Sequence, residues 1–96
     1  MKAIIISYAE GINGVVMEFL QNNNVQNYTQ WTKVLGKGTG SGQHQMTHIW
    51  PKANNVIFCA VDDQTAARLV DGVRELRQEF RTQGIKAFQI PIEALT

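Results

Sequence analysis

The sequence has few of the features that mark secreted, membrane-spanning or strongly nucleic-acid-binding proteins. Its single cysteine, Cys59, cannot form an internal disulfide. The longest apolar run, Val56 to Val61, is far too short to cross a bilayer, and no long apolar stretch followed by a cleavage site opens the chain. Nine basic and eight acidic residues leave a net charge of +1, which argues against a nucleic-acid binder. We therefore expect a soluble cytoplasmic protein without direct membrane insertion.

Apolar periodicity predicts four strands and two helices in one domain. The 96 residues, 44% of them hydrophobic, suffice for one core but not for two, so we expect a single domain over residues 1–96. Compact β-branched or aromatic runs indicate strands, and an apolar side chain every three to four residues indicates a helix. The predicted strands are 2–8, 25–35, 56–61 and 85–92, and the predicted helices are 10–23 and a second from a cap at Asp62 or Asp63 to Phe80. Asn54 and Asn55 are interpreted as a break before the third strand, and Gly84 as the residue that ends the second helix.

The resulting order, βαββαβ, predicts an α+β fold of the ferredoxin-like type. In this arrangement a four-stranded antiparallel sheet carries both helices on one face. The other face has no cover within the chain, although the first, third and fourth strands have apolar residues on both sides. A large exposed apolar patch is unusual on a soluble monomer, so we expect an obligate oligomer.

A glycine-rich segment follows the second strand. Four glycines stand among the seven residues from Gly36 to Gly42, and polar residues follow them. Such a segment has too little apolar surface to offset its ordering entropy, so we expect a long flexible loop. Because glycine permits a positive φ, the segment could also present consecutive backbone N–H groups to a phosphate or carboxylate. The segment is not a Walker A motif, because no Gly-Lys-Ser/Thr sequence opens a helix there.

Short segments along nearly the whole chain resemble the PII (nitrogen regulatory protein) signal-transduction family. They are residues 2–6, 25–29, 36–38, 50–52, 61–64 and 88–93. The resemblance implies a PII-like homotrimer and identifies residues 36–50 with the T-loop, a flexible segment that engages a target protein such as a transporter or an enzyme. It also implies a small ligand, such as an adenine nucleotide, in the clefts between subunits. A regulator of this kind is not an enzyme, and the residues themselves show no catalytic constellation.

The resemblance also implies which residues line the cleft. Tyr28 and Thr29 are expected there, with the segment Gly36, Lys37 and Gly38 and with Lys86 as a partner for an anionic ligand. The family's phosphate-binding loop before the last strand is shortened here to residues 81–84, and Lys86 is the one matching lysine. The segment identified with the T-loop, residues 36–50, has no tyrosine of the kind that is nucleotidylated in the family.

Two histidines in the loop suggest an alternative. His44 and His48 have the i, i+4 spacing that can bring two imidazoles to one divalent metal if the segment is helical. Two ligands do not complete a zinc site, but three copies of the loop could do so in a trimer. The alternative is therefore a CutA-like metal-binding trimer. The interpretation of both residues as surface histidines with no role in metal binding stays open as well. Cys59 is interpreted as a small buried hydrophobic residue.

Overall fold

The computed structural model describes residues 1–38 and 52–96 and confirms the βαββαβ order. In these two ranges the chain forms four strands and two α-helices in the order that the sequence predicted, with a short 3-10 helix, Glu10–Ile12, before the first α-helix. The elements are β1 (Lys2–Ala9), α1 (Asn13–Asn22), β2 (Thr29–Gly36), β3 (Lys52–Val61), α2 (Asp63–Glu79) and β4 (Lys86–Pro91).

The strands form one antiparallel sheet in the order β2-β3-β1-β4. In β1, Ile4 stands opposite Cys59 and Ile6 opposite Ile57 in β3. On its other side β1 pairs with β4, so that Ile5 lies opposite Phe88. The first and third strands are thus central, and β2 and β4 form the two edges, as the ferredoxin-like prediction requires.

The core lies between one face of the sheet and the two helices. Ile4, Ile6 and Tyr8 alternate along β1 toward this side, and none of the three is exposed to solvent. The apolar stripes of the helices cover them, because residues three and four apart share one side of a helix. The buried helical residues are Ile12, Val16, Leu20, Ala66, Leu69 and Val73, with Phe19, Leu76 and Phe80 partly buried around them.

Local signals account for the helix boundaries. The Asp62 carboxylate accepts a hydrogen bond from the Thr65 backbone N–H at 2.7 Å and so caps α2, one of the two caps that the sequence predicted. The first helix ends in the asparagine run, where Asn24 adopts a φ of 60°. Gly84 does not end α2, because the helix closes at Phe80, and Gly84 with a φ of 63° turns the chain into β4 instead.

Two predicted strand boundaries were wrong. The second strand begins at Thr29 because Val25 is buried behind α1, where its backbone N–H donates to the Leu20 carbonyl at 2.9 Å. The third strand begins at Lys52, and Asn54 and Asn55 belong to it, paired with Ala9 and Tyr8 in β1. The asparagine pair had the composition of a turn, but tertiary hydrogen bonds hold Asn55 in the sheet.

Candidate ligand-binding and assembly site

The face of the sheet away from the helices is apolar and uncovered. Ile5 lies between Phe58 and Phe88 in one row of the sheet, and Ala3 lies beside Ile90 in the next row. Phe88 is 50% exposed and Phe58 37%. We call this surface the open face; its apolar members are Ala3, Ile5, Trp31, Val34, Val56, Phe58, Ala60, Phe88 and Ile90. The bare apolar face that the sequence predicted is therefore present in the chain.

The residues predicted to bind a ligand lie in three separate places. Tyr28 precedes β2 and directs its hydroxyl to the Met17 sulfur at 3.6 Å, beside a shallow groove between the end of α1 and the start of β2. Thr29 begins the strand, opposite Phe58. Gly36 ends it seven residues later, about 23 Å away at the usual rise of a strand.

Lys86 lies on the opposite edge of the sheet. It is the first residue of β4, it is paired with Ser7, and its exposed side chain is on the open face. Three strand spacings, about 14 Å, separate it from β2. One chain therefore does not bring Lys86, Thr29 and Gly36 to a common cleft, and they could meet only across a boundary between chains.

Gly36 marks a close approach of β2 and β3. A Cβ atom at this position would collide with the side-chain amide of Asn54. Only glycine fits here without moving that amide, which fills the space that a side chain at this position would take. Lys37 and Gly38, the next residues, are exposed.

A polar cluster inside the helical layer was missed by the sequence analysis. It consists of Tyr8, Asn13, Gln30 and Asn55. The Asn13 Oδ1 atom accepts three hydrogen bonds, from the Tyr8 hydroxyl at 2.7 Å, Gln30 Nε2 at 2.9 Å and Asn55 Nδ2 at 3.1 Å. Gln30 Nε2 also donates to the Tyr8 hydroxyl at 3.1 Å. The cluster ties the start of α1 to the first three strands. The sequence feature that could have indicated it was the presence of two polar residues, Asn55 and Gln30, next to apolar strand residues.

The cluster adjoins a β-bulge in the second strand. Trp31 pairs with Val56 and Val34 with Asn54, so that two residues of β2, Thr32 and Lys33, stand against Asn55 alone. Lys33 has a φ of 57°. Its backbone N–H donates to Asn55 Oδ1 at 3.3 Å, and its ammonium lies 3.4 Å from Glu10.

Burial keeps two potential nucleophiles protonated. Desolvation raises the pKa of the Tyr8 hydroxyl, against the opposing effect of its hydrogen bond with Gln30. Desolvation also raises the pKa of the Cys59 thiol, which is 2% exposed, as the interpretation of Cys59 as a buried hydrophobic residue implied. Tyr8 therefore remains a hydroxyl donor, and neither group has the lowered pKa of an activated nucleophile.

The metal hypothesis falls largely outside the described residues. His44 and His48 lie between residues 39 and 51, so their role as ligands stays a prediction. Within residues 1–38 and 52–96, no three side chains of histidine, cysteine, aspartate or glutamate group as metal ligands would. In the same part of the chain, neither helix combines the length and apolarity that a membrane crossing requires.

Solved structures show which proteins share this architecture. CPII, a nitrogen regulatory PII-like protein from Thiomonas intermedia bound to ADP, AMP and bicarbonate, has a TM-score of 0.75 at 20% identity, over 99% of this chain and 92% of its own. The apo form of CPII gives 0.67 at 18% identity, over 95% and 89%. A protein from Thermus thermophilus, described as PII-like in signaling, gives 0.63 at 18% identity, over 92% and 82%.

At this identity the likeness lies in the fold. No protein-family model matches the sequence, and no curated protein matches it either. The shared features are therefore the sheet and the two helices on one side of it. The chain has the fold of the PII-like signal-transduction proteins over nearly its whole length.

Proposed function

We propose that this chain is a PII-like regulator that assembles as a homotrimer, binds an adenine nucleotide in the clefts between its subunits and acts on a target protein. The observation that carries the proposal is the open face of a fold whose solved examples include one bound to ADP and AMP. The role is regulatory and not enzymatic, and its place is the cytoplasm. The target, a transporter or an enzyme, contacts the segment 36–50.

The open face supports self-assembly. Phe88 at 50% and Ile90 at 44% exposure are large apolar side chains of a β-sheet, a surface that another sheet can cover with good packing. A second copy of the same chain offers a surface of the same kind. Neighbouring copies can also meet at their edges, with β2 of one copy next to β4 of the next. Because these two edges differ, the contact is heterologous, and a heterologous contact that closes after three copies gives a ring.

Such a ring explains the scattered ligand residues. The β4 edge with Lys86 and the β2 edge with Thr29 are on opposite sides of one chain, but neighbouring chains of a ring place unlike edges side by side. A cleft between subunits then combines a lysine with the glycine-lined exit of the second strand.

The residue types suit a nucleotide. The exposed ammonium of Lys86 can pair with phosphate oxygens, and Lys37 adds a second cation. The ring of Tyr28, 43% exposed, is available for stacking on a base.

Calorimetric titration tests the nucleotide. ADP, AMP and ATP are each titrated into the full chain, with and without bicarbonate, since CPII binds that anion together with the nucleotides. We expect saturable binding of at least one nucleotide with one site per subunit. Absence of heat for all three nucleotides, in a protein that is folded and trimeric, would contradict nucleotide binding but not assembly.

A pair of variants tests the site. Lys86→Gln should weaken nucleotide binding about tenfold or more, because a charge-assisted hydrogen bond contributes about 1.5 kcal/mol or more. Arg77→Gln removes an exposed positive charge from α2 instead and should leave the affinity unchanged. Equal affinities for both variants would remove Lys86 from the site.

Parallel titrations with zinc and copper, with His44→Ala and His48→Ala together as the control, test the metal hypothesis.

A further inference from the structure

The bulge in the second strand is held in a costly backbone conformation. Lys33 has a φ of 57°, in the left-handed region that residues other than glycine and asparagine rarely occupy. Bulges of this kind usually have glycine at the left-handed position. The surroundings of Lys33 must therefore compensate for its conformation.

The bulge also leaves an apolar side chain in solvent. Beyond it, Val34 is on the open face opposite Asn54, and Leu35 is on the other face of the sheet, 71% exposed. This exposure exceeds that of every other large apolar side chain in the described ranges. Without the bulge the alternation of the strand would reverse, because a shift by one residue moves each side chain to the opposite face. Leu35 would then join Trp31 on the open face.

The polar cluster opposes this shift. Asn55 Oδ1 accepts the hydrogen bond from the Lys33 backbone N–H at 3.3 Å, and Asn55 Nδ2 is fixed by Asn13 at 3.1 Å. Asn55 is only 5% exposed, so an unpaired Oδ1 would be costly. Glu10 adds an exposed ion pair with the Lys33 ammonium at 3.4 Å. The bulged register thus satisfies the cluster, and the regular register would relieve the left-handed backbone and move Leu35 to the open face.

We propose that the end of β2 pairs with β3 in two registers, bulged and regular, and that the polar cluster sets the balance between them. In the bulged register Val34 faces Asn54 and Gly36 faces Lys52. In the regular register Lys33 faces Asn54 and Leu35 faces Lys52. The change alters which side chains the open face presents at the exit of the strand. Its use as a regulatory switch rests on the proposed function; the two registers themselves do not.

Nuclear magnetic resonance of the full chain distinguishes the registers without any ligand. Cross-strand backbone proton contacts between Val34 and Asn54 report the bulged register, and contacts between Lys33 and Asn54 report the regular one. Chemical-exchange saturation transfer measures the minor population. We expect the bulged register to dominate in the wild type, with the regular register as an exchanging minor state.

Three variants shift the balance in stated directions. Asn55→Val removes the acceptor for the Lys33 N–H and should raise the ratio of regular to bulged register about tenfold, the usual effect of losing one such hydrogen bond. Lys33→Ala and Lys33→Gly both remove the ion pair with Glu10, but only glycine relieves the left-handed backbone. Lys33→Gly should therefore retain the bulge, and Lys33→Ala should favour the regular register.

The outcome decides the inference even if Asn55→Val is unstable, because the two Lys33 variants change an exposed side chain. A bulged register without any exchanging state in the wild type and in Lys33→Ala would overturn the proposal. Equal populations in Lys33→Ala and Lys33→Gly would do so as well, since backbone strain would then have no part in the balance.

Discussion

Truncation of one aromatic ring on the open face should dissociate the proposed trimer. Phe88→Ala removes a ring that lies on the open face in the edge strand β4, beside Ile5 of the central strand β1, and is half exposed in the single chain. The ring does not pack in the core, because the even-numbered residues of β4 are directed away from the helices. The variant should therefore fold as a single chain while losing affinity for its neighbours.

The size of the effect follows from the area that assembly would cover. A phenylalanine buries roughly 200 Å² when it is fully covered, so the half that is exposed in the chain amounts to about 100 Å². At about 25 cal/mol per Å² this is about 2.5 kcal/mol for each ring, and about 7.5 kcal/mol for three rings in a trimer. A loss of that size weakens association by roughly 10⁵- to 10⁶-fold.

Size-exclusion chromatography with light scattering provides the measurement. The wild type should have three times the 10.8 kDa mass of the chain at micromolar concentration, and Phe88→Ala should approach the mass of one chain on dilution. Leu95→Ala is the matched control, because Leu95 is 62% exposed but follows the last strand. It should keep the wild-type mass.

Two results would refute the reasoning. A wild type with the mass of one chain would mean that the open face is tolerated in water without a partner copy. A Phe88→Ala variant that keeps both the wild-type mass and its concentration dependence would mean that copies associate through another surface. Circular dichroism of each variant excludes a loss of mass through unfolding.

The remaining predictions concern stability and the accessibility of the buried thiol. Gly72→Ala should destabilise the fold by up to about 2 kcal/mol in urea denaturation, because its Cβ would collide with the Phe19 ring, an overpacking cost of about 1–3 kcal/mol set against a helix-propensity gain of about 1. Gly14→Ala, with open space around it, should stabilise the fold by about 0.5–1 kcal/mol; the reverse order of the two variants would contradict this packing. Asp62→Ala should lower the thermal midpoint of unfolding near neutral pH but not in acid. The hydrogen bond from the Thr65 backbone N–H lowers the pKa of the Asp62 carboxyl in the folded chain. The carboxylate therefore stabilises the fold above the ordinary aspartate pKa, and this contribution is lost as the pH falls through the lowered pKa. A thiol reagent should modify Cys59 only as fast as the chain opens; rapid modification of the folded protein would show that the buried thiol is accessible.

Local patterns in the sequence were enough for the element order and for much of the core. The β-branched run around Ile5 and the apolar stripe of the second helix predicted their elements because strands and helices repeat with different periods. The order of these elements then admitted few topologies, since crossover connections have one hand. The uncovered face followed from the same order, before any pairing was known.

The tertiary structure decided what depends on partners distant in the chain. Asn55 resembles a turn residue by composition, yet it lies in a strand because its amide meets Asn13, 42 residues away. The bulge at Lys33 requires the pairing register of two strands, and the separation of Lys86 from Thr29 requires the strand order. A periodic pattern reports which side of an element is buried, whereas hydrogen bonds between elements select the neighbour and the register. The sequence alone therefore determined the layers of this protein, and long-range polar contacts determined how their edges and strand ends are arranged.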